Sequence, residues 1–239
     1  MVIRRGIPLT GAPPSAPPPP ARQSRWGPLV LLVALGAAPA SAPTASPPQN
    51  ASDVLARAVA GRQELHSYQV PVSIRGSVRV SFLSVPVAMD GTEYFKAPDK
   101  EAMRLNNVPS AAKSFSNTMN AMGTPQTWEA TYDIVLQGTT PHRNHTAYVL
   151  VGTPKHPSNV KTVTMWVNAR TYAIESVAFA YTNGSALGLE FSHHGLSPYH
   201  LPTSIAVTAR FPGYSGQARI AYGTYQINIA IADSEFTQQ

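Results

Sequence analysis

The sequence contains no cysteine, and this absence excludes two features at once. No disulfide framework can stabilise the fold, and no lipobox cysteine can receive an acyl anchor. Charged residues make up only 13% of the chain. The basic residues are scattered, whereas phosphate binding needs a clustered basic face, so we expect no nucleic-acid partner.

The sequence also lacks the motifs that support the common enzymatic chemistries. No Gly-x-Ser-x-Gly elbow, phosphate loop or Gly-x-Gly-x-x-Gly fingerprint occurs. Acyl-enzyme, nucleotide and dinucleotide chemistry therefore lack their usual scaffolds. Asp90 and Glu93 are close enough in sequence to pair, but we expect them to flank a turn and face water. These observations predict a protein with no catalytic residues, no cofactor and no metal.

Seven histidines are the remaining candidates for metal binding or acid–base chemistry. The tightest groupings are His142 with His145, and His193 and His194 with His200. Neither grouping has the i, i+4 helical spacing of zinc proteases, and Glu190 is the sole acid near either one in the sequence. We therefore expect surface-loop histidines, and a hydrolase that acts through them is the weakest of three functional hypotheses.

Residues 1–42 have the composition of a secretory signal peptide. Four arginines and no acid precede the apolar run 29–38, and small residues follow that run. The run is about half of the ~20 residues that span a bilayer, so we expect no permanent transmembrane anchor. Cleavage after Ala40 and cleavage after Ala42 both remain open. The pattern predicts an exported protein.

Residues 43–50 then form a short linker, and we expect 51–239 to form a single domain of ordinary size. The whole chain has a formal net charge of +6. Removal of the four N-terminal arginines leaves 14 basic residues against 12 acidic ones, a net charge of +2. The exported part is therefore close to neutral.

The residues after the linker predict one helix followed by strands. Ser52 or Asp53 can cap a helix, because either side chain can accept a hydrogen bond from a free N–H group of the first turn. From Ser67 the apolar residues alternate with polar ones, which is the pattern of a strand with one wet face. We predict further strands over 81–89, 92–96 and 102–105, with a turn at Asp90-Gly91.

Residues 109–122 predict a second helix. Phe115, Met119 and Met122 are spaced at i, i+4 and i+7, so they share one face. Core packing is the ordinary meaning of such a stripe. The alternative is that the methionines face a cargo, since Met adapts its shape to irregular apolar ligands.

The remaining chain is typical of an antiparallel sheet. We predict strands at 130–136 and 147–151 and a series of strands over 160–236, with loops at 138–145 and 154–159. Asn183-Gly184 is a strong hairpin signal, because both residues tolerate the positive φ of a type I′ turn. Matches to the N-glycosylation pattern at Asn50, Asn144 and Asn183 are interpreted as turn chemistry. The predicted class is α+β, mainly β: one large curved antiparallel sheet with helices covering its apolar face.

Many strand positions carry small side chains, among them Ala178, Gly188 and Ala206. If these residues point inward, they leave room for a cavity. A cavity for acyl chains would gain ~0.8 kcal/mol for each methylene taken from water. The alternative is tight packing between sheet and helices with no void, and the sequence leaves both open.

Four segments, taken in order, resemble the LolA-like superfamily of exported bacterial carriers, known broadly as outer-membrane lipoprotein-sorting proteins. They are Leu65-His66-Ser67-Tyr68, then Gly91-Thr92-Glu93-Tyr94-Phe95-Lys96-Ala97-Pro98 with Arg104 in the next strand, then Met165-Trp166-Val167-Asn168 with Thr171-Tyr172, and finally 222–228 with 231–236. Each segment is a weak signal alone. Their order and spacing over most of 51–239 carry the resemblance.

The resemblance implies an open, incomplete β-barrel with a helical lid over an apolar cavity, and a soluble carrier or sensor of acyl chains. Lipoprotein carriers of this superfamily have an arginine just before the proline and an aromatic residue three positions after it, both tied to cargo gating. This sequence has Ala97 and Glu101 at those positions. The departure weakens the expectation of lipoprotein handover and leaves the general lipid-holding role.

Our first hypothesis is therefore a non-enzymatic, monomeric periplasmic carrier of lipid or lipoprotein acyl chains. The second is an envelope sensor of the same fold that binds an inner- or outer-membrane protein. The candidate lid and cavity-wall residues are Phe115, Met119, Met122, Met165, Val167, Val177, Phe179, Leu187, Leu189, Phe191, Ile205, Val207 and Phe211. The sequence does not specify the cargo.

Overall fold

The computed structural model describes residues 48–106, 108, 127–193 and 199–237. The elements are α1 Ala51–Ala60, β1 Ser67–Val80, β2 Leu83–Lys96, β3 Lys100–Asn106, α2 Trp128–Thr131, β4 Tyr132–His142, β5 His145–Pro154, β6 Val160–Asn168, β7 Ile174–Tyr181, β8 Ala186–Ser192, β9 Ser204–Phe211, β10 Tyr214–Tyr222, β11 Gln226–Ile227 and a 3-10 helix Asp233–Phe236. The predicted signal peptide and the predicted helix over 109–122, with Phe115, Met119 and Met122, lie outside the described residues.

The strands form one antiparallel sheet in the order β3-β2-β1-β10-β9-β8-β7-β6-β5-β4, with β11 pairing with β1. Nearly every neighbour in this order is also a neighbour in sequence. The exception is the β1–β10 pair, which joins the N-terminal strands to the C-terminal series. The sheet does not close, because β3 and β4 stand at its two ends. The predicted mainly β, open antiparallel architecture is confirmed.

Alternation along the strands places the apolar side chains on one face. In β1, Tyr68, Val70, Val72 and Ile74 are all buried, while the residues between them are more exposed. They belong to the same hydrophobic cluster as the buried residues of α1. Because successive side chains of a strand point to opposite faces, this period-two pattern commits one whole face of the sheet to the core.

Helix α1 covers part of that face and begins at a well-formed cap. The Asn50 side chain accepts a hydrogen bond from the Asp53 backbone N–H at 2.9 Å. The predicted caps, Ser52 and Asp53, are therefore wrong, because both residues lie inside the first turn. In the last turn, Arg57 donates to the Tyr172 hydroxyl at 2.7 Å, and its guanidinium carbon lies 5.3 Å from the centre of that ring. These contacts tie α1 to the β6–β7 connection.

The predicted turn at Asp90-Gly91 is wrong, because β2 runs without interruption from Leu83 to Lys96. Gly91 lies opposite Val72 on one side and Leu105 on the other. A Cβ atom at this position would lie 2.1 Å from the carbonyl oxygen of Arg104. The glycine is therefore needed for a close approach of two strands and not for a turn.

The predicted loop at 138–145 is also wrong. Strand β4 passes through a register shift at Gly138, which has a φ of 125°, and continues to His142. A short turn with Arg143 at a φ of 53° leads directly into β5 at His145. A bulge lets one extra residue leave the pairing while the strand continues, so polar loop-like residues stand inside a long hairpin. Likewise, residues 128–131 form α2 and not the start of a strand.

The hairpin predicted at Asn183-Gly184 is confirmed by the pairing of β7 with β8, but its turn type differs. Gly184 has a φ of 81°, whereas Asn183 is not among the residues with positive φ. A type I′ turn needs positive φ at both central residues. Instead, the Asn183 side chain accepts from the Ser185 backbone N–H at 3.0 Å.

The β1–β2 hairpin extends beyond the region where β3 pairs with β2, since that pairing ends at Asp90. Its end exposes several apolar side chains: Val80, Phe82, Leu83 and Val85. Pro86 lies opposite Ser77 on this part of β2. The Pro71 carbonyl accepts from Gly223, so odd-numbered residues of β1 direct their backbone groups toward β10. The backbone of Pro86 therefore faces the open side of the hairpin.

We expect Gly91→Ala to lower the free energy of unfolding by about 2 kcal/mol, in the range of overpacking changes. The added Cβ would meet the Arg104 carbonyl oxygen, which belongs to the backbone of a paired strand and cannot move aside cheaply. Urea unfolding measures the change. Gly223→Ala is the matched control, because its Cβ would meet nothing nearer than 3.5 Å. Equal stabilities of the two variants would contradict the proposed close approach.

Candidate functional site

A cavity of about 310 Å³ lies between the C-terminal end of α1 and the apolar face of the sheet. Its wall is mainly apolar and draws on α1, α2 and strands from both halves of the sheet. The apolar wall residues include Ala58, Phe95, Met103, Trp128, Ile174, Val177, Phe179, Leu189, Phe191, Leu201 and Ile205. The sequence left cavity and tight packing open, and the described residues enclose a cavity.

The candidate wall residues fall into three groups. Those that line the cavity are Val177, Phe179, Leu189, Phe191 and Ile205. Those buried in the core cluster beside it are Met165, Val167, Leu187 and Val207. Phe211 stacks on Tyr214 with ring centres 5.1 Å apart and contacts Tyr181 at 5.4 Å. The three candidate lid residues lie outside the described residues, so their role stays a prediction.

The polar part of the cavity wall is centred on Glu93, which is only 5% exposed. The Tyr68 hydroxyl donates to one carboxylate oxygen at 2.7 Å, and the Tyr222 hydroxyl donates to the other at 3.2 Å. Burial raises the pKa of Glu93, and the two tyrosine hydrogen bonds partly oppose that rise. Burial likewise raises the pKa of both tyrosine hydroxyls well above the ordinary value, so they remain donors.

Glu93 is buried, so the expectation that it faces water is wrong. That expectation depended on the turn at Asp90-Gly91, which would have broken the alternation. In a continuous β2, Glu93 has the same parity as the buried residues Met89 and Phe95 and must share their face. If the alternation is continued through Gly91, the sequence alone predicts that Glu93 is buried.

A tyrosine cluster positions this carboxylate. Tyr68 stacks on Phe95 with ring centres 5.3 Å apart and meets the edge of Tyr225 at the same distance. Tyr225 in turn stacks on Tyr222 at 5.9 Å, and its hydroxyl donates to the Pro202 carbonyl at 2.7 Å. Because both donors to Glu93 are held by these ring contacts, the carboxylate has little freedom to leave the cavity wall.

Glu101 lines the same cavity from β3. It lies opposite Phe95, while Glu93 lies opposite Met103, so the two acids are diagonal neighbours on one face of the sheet. Glu101 keeps an exposed surface, while neighbouring protein atoms limit the solvation of its carboxyl. Burial and the nearby charge of Glu93 raise the pKa of Glu101 to about 8. At neutral pH this carboxyl is therefore largely protonated.

Arg62, which follows α1, is the basic side chain of the described cavity wall. Its guanidinium donates to the backbone carbonyls of Tyr199 and His200 at 3.2 and 3.5 Å. Within the described ranges it forms no salt bridge with Glu93 or Glu101, although its charge lowers the pKa of both acids. Burial lowers the pKa of His200, which also lines the cavity.

The paired histidines His142 and His145 lie away from this cavity, at the ends of β4 and β5. His142 stacks on Trp166 at 5.8 Å, and its Nε2 lies 3.3 Å from the Ser176 hydroxyl. His145 forms a short hydrogen bond with Glu175, which occupies a register shift between β6 and β7. The loop assignment is therefore wrong, since both are strand residues.

This histidine cluster offers little to a substrate or a metal. Ser176 is 6% exposed, so its hydroxyl is poorly accessible as a nucleophile. Among the residues that the structure describes, no group of three or more His, Cys, Asp or Glu side chains is placed to hold a metal ion. The acid partner, Glu175, is distant in sequence, which is why Glu190 was expected to be the nearby acid. Glu190 instead pairs with Arg143 at 3.3 Å.

No helix in the described ranges is long and apolar enough to cross a membrane.

Comparison with known proteins identifies the fold. No protein-family model and no curated protein matches the sequence. A DUF1329 family protein from Desulfovibrio piger is similar in structure, with a TM-score of 0.56 and 13% identity over 78% of this chain and 96% of that one. A LolA superfamily protein from Nitrosomonas europaea has a TM-score of 0.53 and 16% identity over 79% and 98% of the two chains.

An outer membrane lipoprotein-sorting protein domain from Vibrio parahaemolyticus is also similar, with a TM-score of 0.54 and 12% identity over 77% of this chain and 94% of that one. At these identities the likeness shows the fold alone. The chain has a LolA-like fold, and the resemblance seen in the sequence is confirmed at that level.

We expect Glu101→Gln to change how stability depends on pH. The ordinary pKa of Glu is 4.5, and that of Glu101 in the folded state is about 8. Between these values the unfolded state loses its proton first, so the wild-type free energy of unfolding falls as pH rises through this window. Glutamine removes that contribution, and denaturant unfolding at several pH values from 4.5 to 8 measures it.

Asp90→Asn is the control for this experiment. The hydrogen bond from Arg75 lowers the pKa of Asp90 below 3.8, so its contribution is present above that value and lost only as pH falls further. The Asp90→Asn curve should therefore run parallel to that of the wild type between pH 4.5 and 8. A parallel curve for Glu101→Gln would contradict the raised pKa of Glu101.

Proposed function

We propose that this protein is an exported, non-enzymatic carrier that holds the acyl chains of a lipid or lipoprotein in the cavity beneath α1. The observation that carries the proposal is an apolar wall around an open volume of about 310 Å³. That volume is at the lower end of the roughly 300–1,000 Å³ typical of ligand sites. A packed core leaves few voids larger than a water molecule, so a space of this size among the described residues supports a ligand site.

The energetics of such a site suit an acyl chain. Each methylene transferred from water gains ~0.8 kcal/mol, so a chain of about ten methylenes gains roughly 8 kcal/mol before the costs of binding. The proposed wall residues are the candidates from the sequence that line the cavity: Val177, Phe179, Leu189, Phe191 and Ile205. Their role is steric and apolar.

Export to the periplasm is part of the proposal and is supported by residues 1–42, whose composition is that of a secretory signal peptide. The LolA-like fold supports a carrier role, because one of the similar structures is described as an outer membrane lipoprotein-sorting protein domain. Handover of a whole lipoprotein is not proposed, since Ala97 and Glu101 replace the gating residues that the resemblance implies.

An envelope sensor that binds a membrane-protein partner is the second candidate function. The apolar end of the β1–β2 hairpin favours it, because Phe82 is 87% exposed and Leu83 is 59% exposed. Contiguous exposed apolar side chains often mark an interaction site. Co-purification of a membrane protein that is lost in Phe82→Ser, with no amphiphile in the cavity, would favour this function over the carrier.

We expect Val177→Trp to weaken binding of a fluorescent fatty-acid probe, because the larger side chain fills space that the acyl chain needs. Val135→Trp is the matched control, since the same substitution at a side chain that is 57% exposed leaves the cavity untouched. Affinity in the variant should fall at least about ten-fold, which corresponds to ~1.4 kcal/mol. Native mass spectrometry of the purified protein provides an independent readout of bound amphiphile.

If neither the wild type nor Val135→Trp binds the probe, the carrier function is wrong. Equal binding by Val177→Trp and the control would place the acyl chain elsewhere. Circular dichroism and urea unfolding of both variants establish that each is folded before binding is compared.

A further inference from the structure

We propose that the amphiphile held by this cavity carries a cationic amine head group, which is bound beside Glu93 and Glu101. This inference rests on the proposed carrier function and adds the chemical class of the cargo. It depends on the charged and polar side chains of the cavity wall.

The described cavity wall has an excess of acidic groups. Glu93, Asp99 and Glu101 supply three carboxyls, whereas Arg62 supplies one fixed positive charge. With Glu93 and Asp99 ionised and Glu101 protonated, these four groups carry a net charge of −1, and ionisation of Glu101 makes it −2. An anionic head group, such as a carboxylate or a phosphate, would be repelled in such a site, while a cation would be attracted.

The positive charge of Arg62 does not neutralise these acids by direct pairing. Two nitrogens of its guanidinium donate to the carbonyls of Tyr199 and His200. No described residue donates a hydrogen bond or forms a salt bridge to Glu101. Each oxygen of Glu93 accepts one tyrosine hydrogen bond and retains capacity for another. Both carboxyls therefore have acceptor capacity to offer to a ligand.

Sheet geometry brings the two carboxyls to one place. Glu93 lies opposite Met103 and Glu101 opposite Phe95, which makes the acids diagonal neighbours on the same face. Diagonal pairs of an antiparallel sheet have their side chains roughly 7 Å apart at the backbone, within reach of long side chains. One ammonium group between them can contact both.

A further acceptor comes from His193, whose ring also lines the cavity. Its Nε2 lies 3.0 Å from the Ile174 carbonyl oxygen and must donate to it. In the neutral ring Nδ1 is then an acceptor, and this buried atom has no hydrogen-bond partner among the residues that the structure describes. An ammonium group has three donors and no acceptor, so it complements the free acceptor positions of Glu93 and His193.

Binding of a cation should release a proton from the protein. In the empty cavity the pKa of Glu101 is about 8, because burial and Glu93 disfavour its charged form. A bound ammonium favours that charged form, so Glu101 ionises on binding. Among the other groups that line the site with Arg62 and Asp99, Tyr68 and Tyr222 remain protonated, and the lowered pKa of His200 keeps it neutral. Burial also raises the pKa of Glu93, so a bound cation shifts this acid toward ionisation in the same direction as Glu101. Affinity for the amine should rise with pH up to about 8, the pKa of Glu101.

The test compares three probes that share one chain and differ only in head group: dodecylamine, dodecanol and dodecanoate. Isothermal titration calorimetry on the mature protein below the micelle concentration gives the affinity for each. At pH 8 we expect the amine to bind at least about ten-fold more tightly than the alcohol, and the carboxylate to bind most weakly. The amine preference should fall in Glu101→Gln and persist in Asp90→Asn, whose acid lies on the opposite face and pairs with Arg75.

A second measurement keeps the proposal open to disproof without any variant. Titration of the wild type with dodecylamine in two buffers of different ionisation enthalpy counts the protons exchanged. Release of protons at pH 8 that increases as the pH falls to 7 supports the proposal, since the pKa of Glu101 in the empty cavity is about 8 and more of it is protonated at the lower pH.

The outcomes separate this inference from the carrier function. Binding of all three probes with no preference for the amine, or tighter binding of dodecanoate, would overturn the cationic head group and leave the carrier function in place. Binding of none of the probes would overturn both. Amine binding that is unchanged in Glu101→Gln and releases no proton would also overturn the inference.

Discussion

A sheet that buries only one of its faces needs a cover as large as that face, and among the described residues the covering helix α1 is much shorter than the strands. Strand β1 has 14 residues, and at ~3.3 Å per residue it is about 45 Å long. Helix α1 has 10 residues, and at ~1.5 Å per residue it is about 15 Å long. The helix therefore seals only part of the apolar face. The cavity lies where the C-terminal end of α1 stops covering the strands, next to Ala58 and Arg62.

The buried carboxylate has a structural meaning besides its place in the cavity. Tyr68 belongs to β1, Glu93 to β2 and Tyr222 to β10, so their hydrogen bonds join three adjacent strands. The β1–β10 boundary is where the sheet unites segments that are remote in sequence. A buried charge-assisted network of this kind favours one register over its neighbours, because a shift of one residue would turn Glu93 to the opposite face of the sheet and break both tyrosine hydrogen bonds.

Local sequence patterns predicted the strands whose apolar and polar residues alternate. They failed at Gly91, because a glycine can serve either a turn or a close approach of two strands. The strand from Ser67 and the β7–β8 hairpin follow from period-two patterns and turn residues. Asp90-Gly91 has the composition of a turn, but Gly91 serves a close approach to Arg104, a contact that no local pattern reveals. That single misassignment reversed the face of Glu93 and hid the polar part of the site.

Other parts of the site depend on contacts between distant segments. Tyr222 meets Glu93 only because β10 pairs with β1. His193 lines the cavity from the segment that follows β8, where no local pattern places it. Apolar wall residues such as Val177 and Leu189 could be named from alternation alone, since they oppose each other in a predictable hairpin. Whether a given inward residue borders the space or packs beside it depends on the reach of α1, which the strand pattern does not contain.

Pro86 also affects whether copies of this chain can aggregate through their strand edges. Among the described residues, no strand pairs with β2 on this side beyond Asp90. An edge of this kind, with regular backbone donors beside apolar side chains, is the arrangement from which intermolecular strand stacking starts. A proline there removes one donor and places a rigid ring in the path of an incoming strand. The hairpin can therefore expose apolar side chains at its end while the proline disfavours the start of fibril formation.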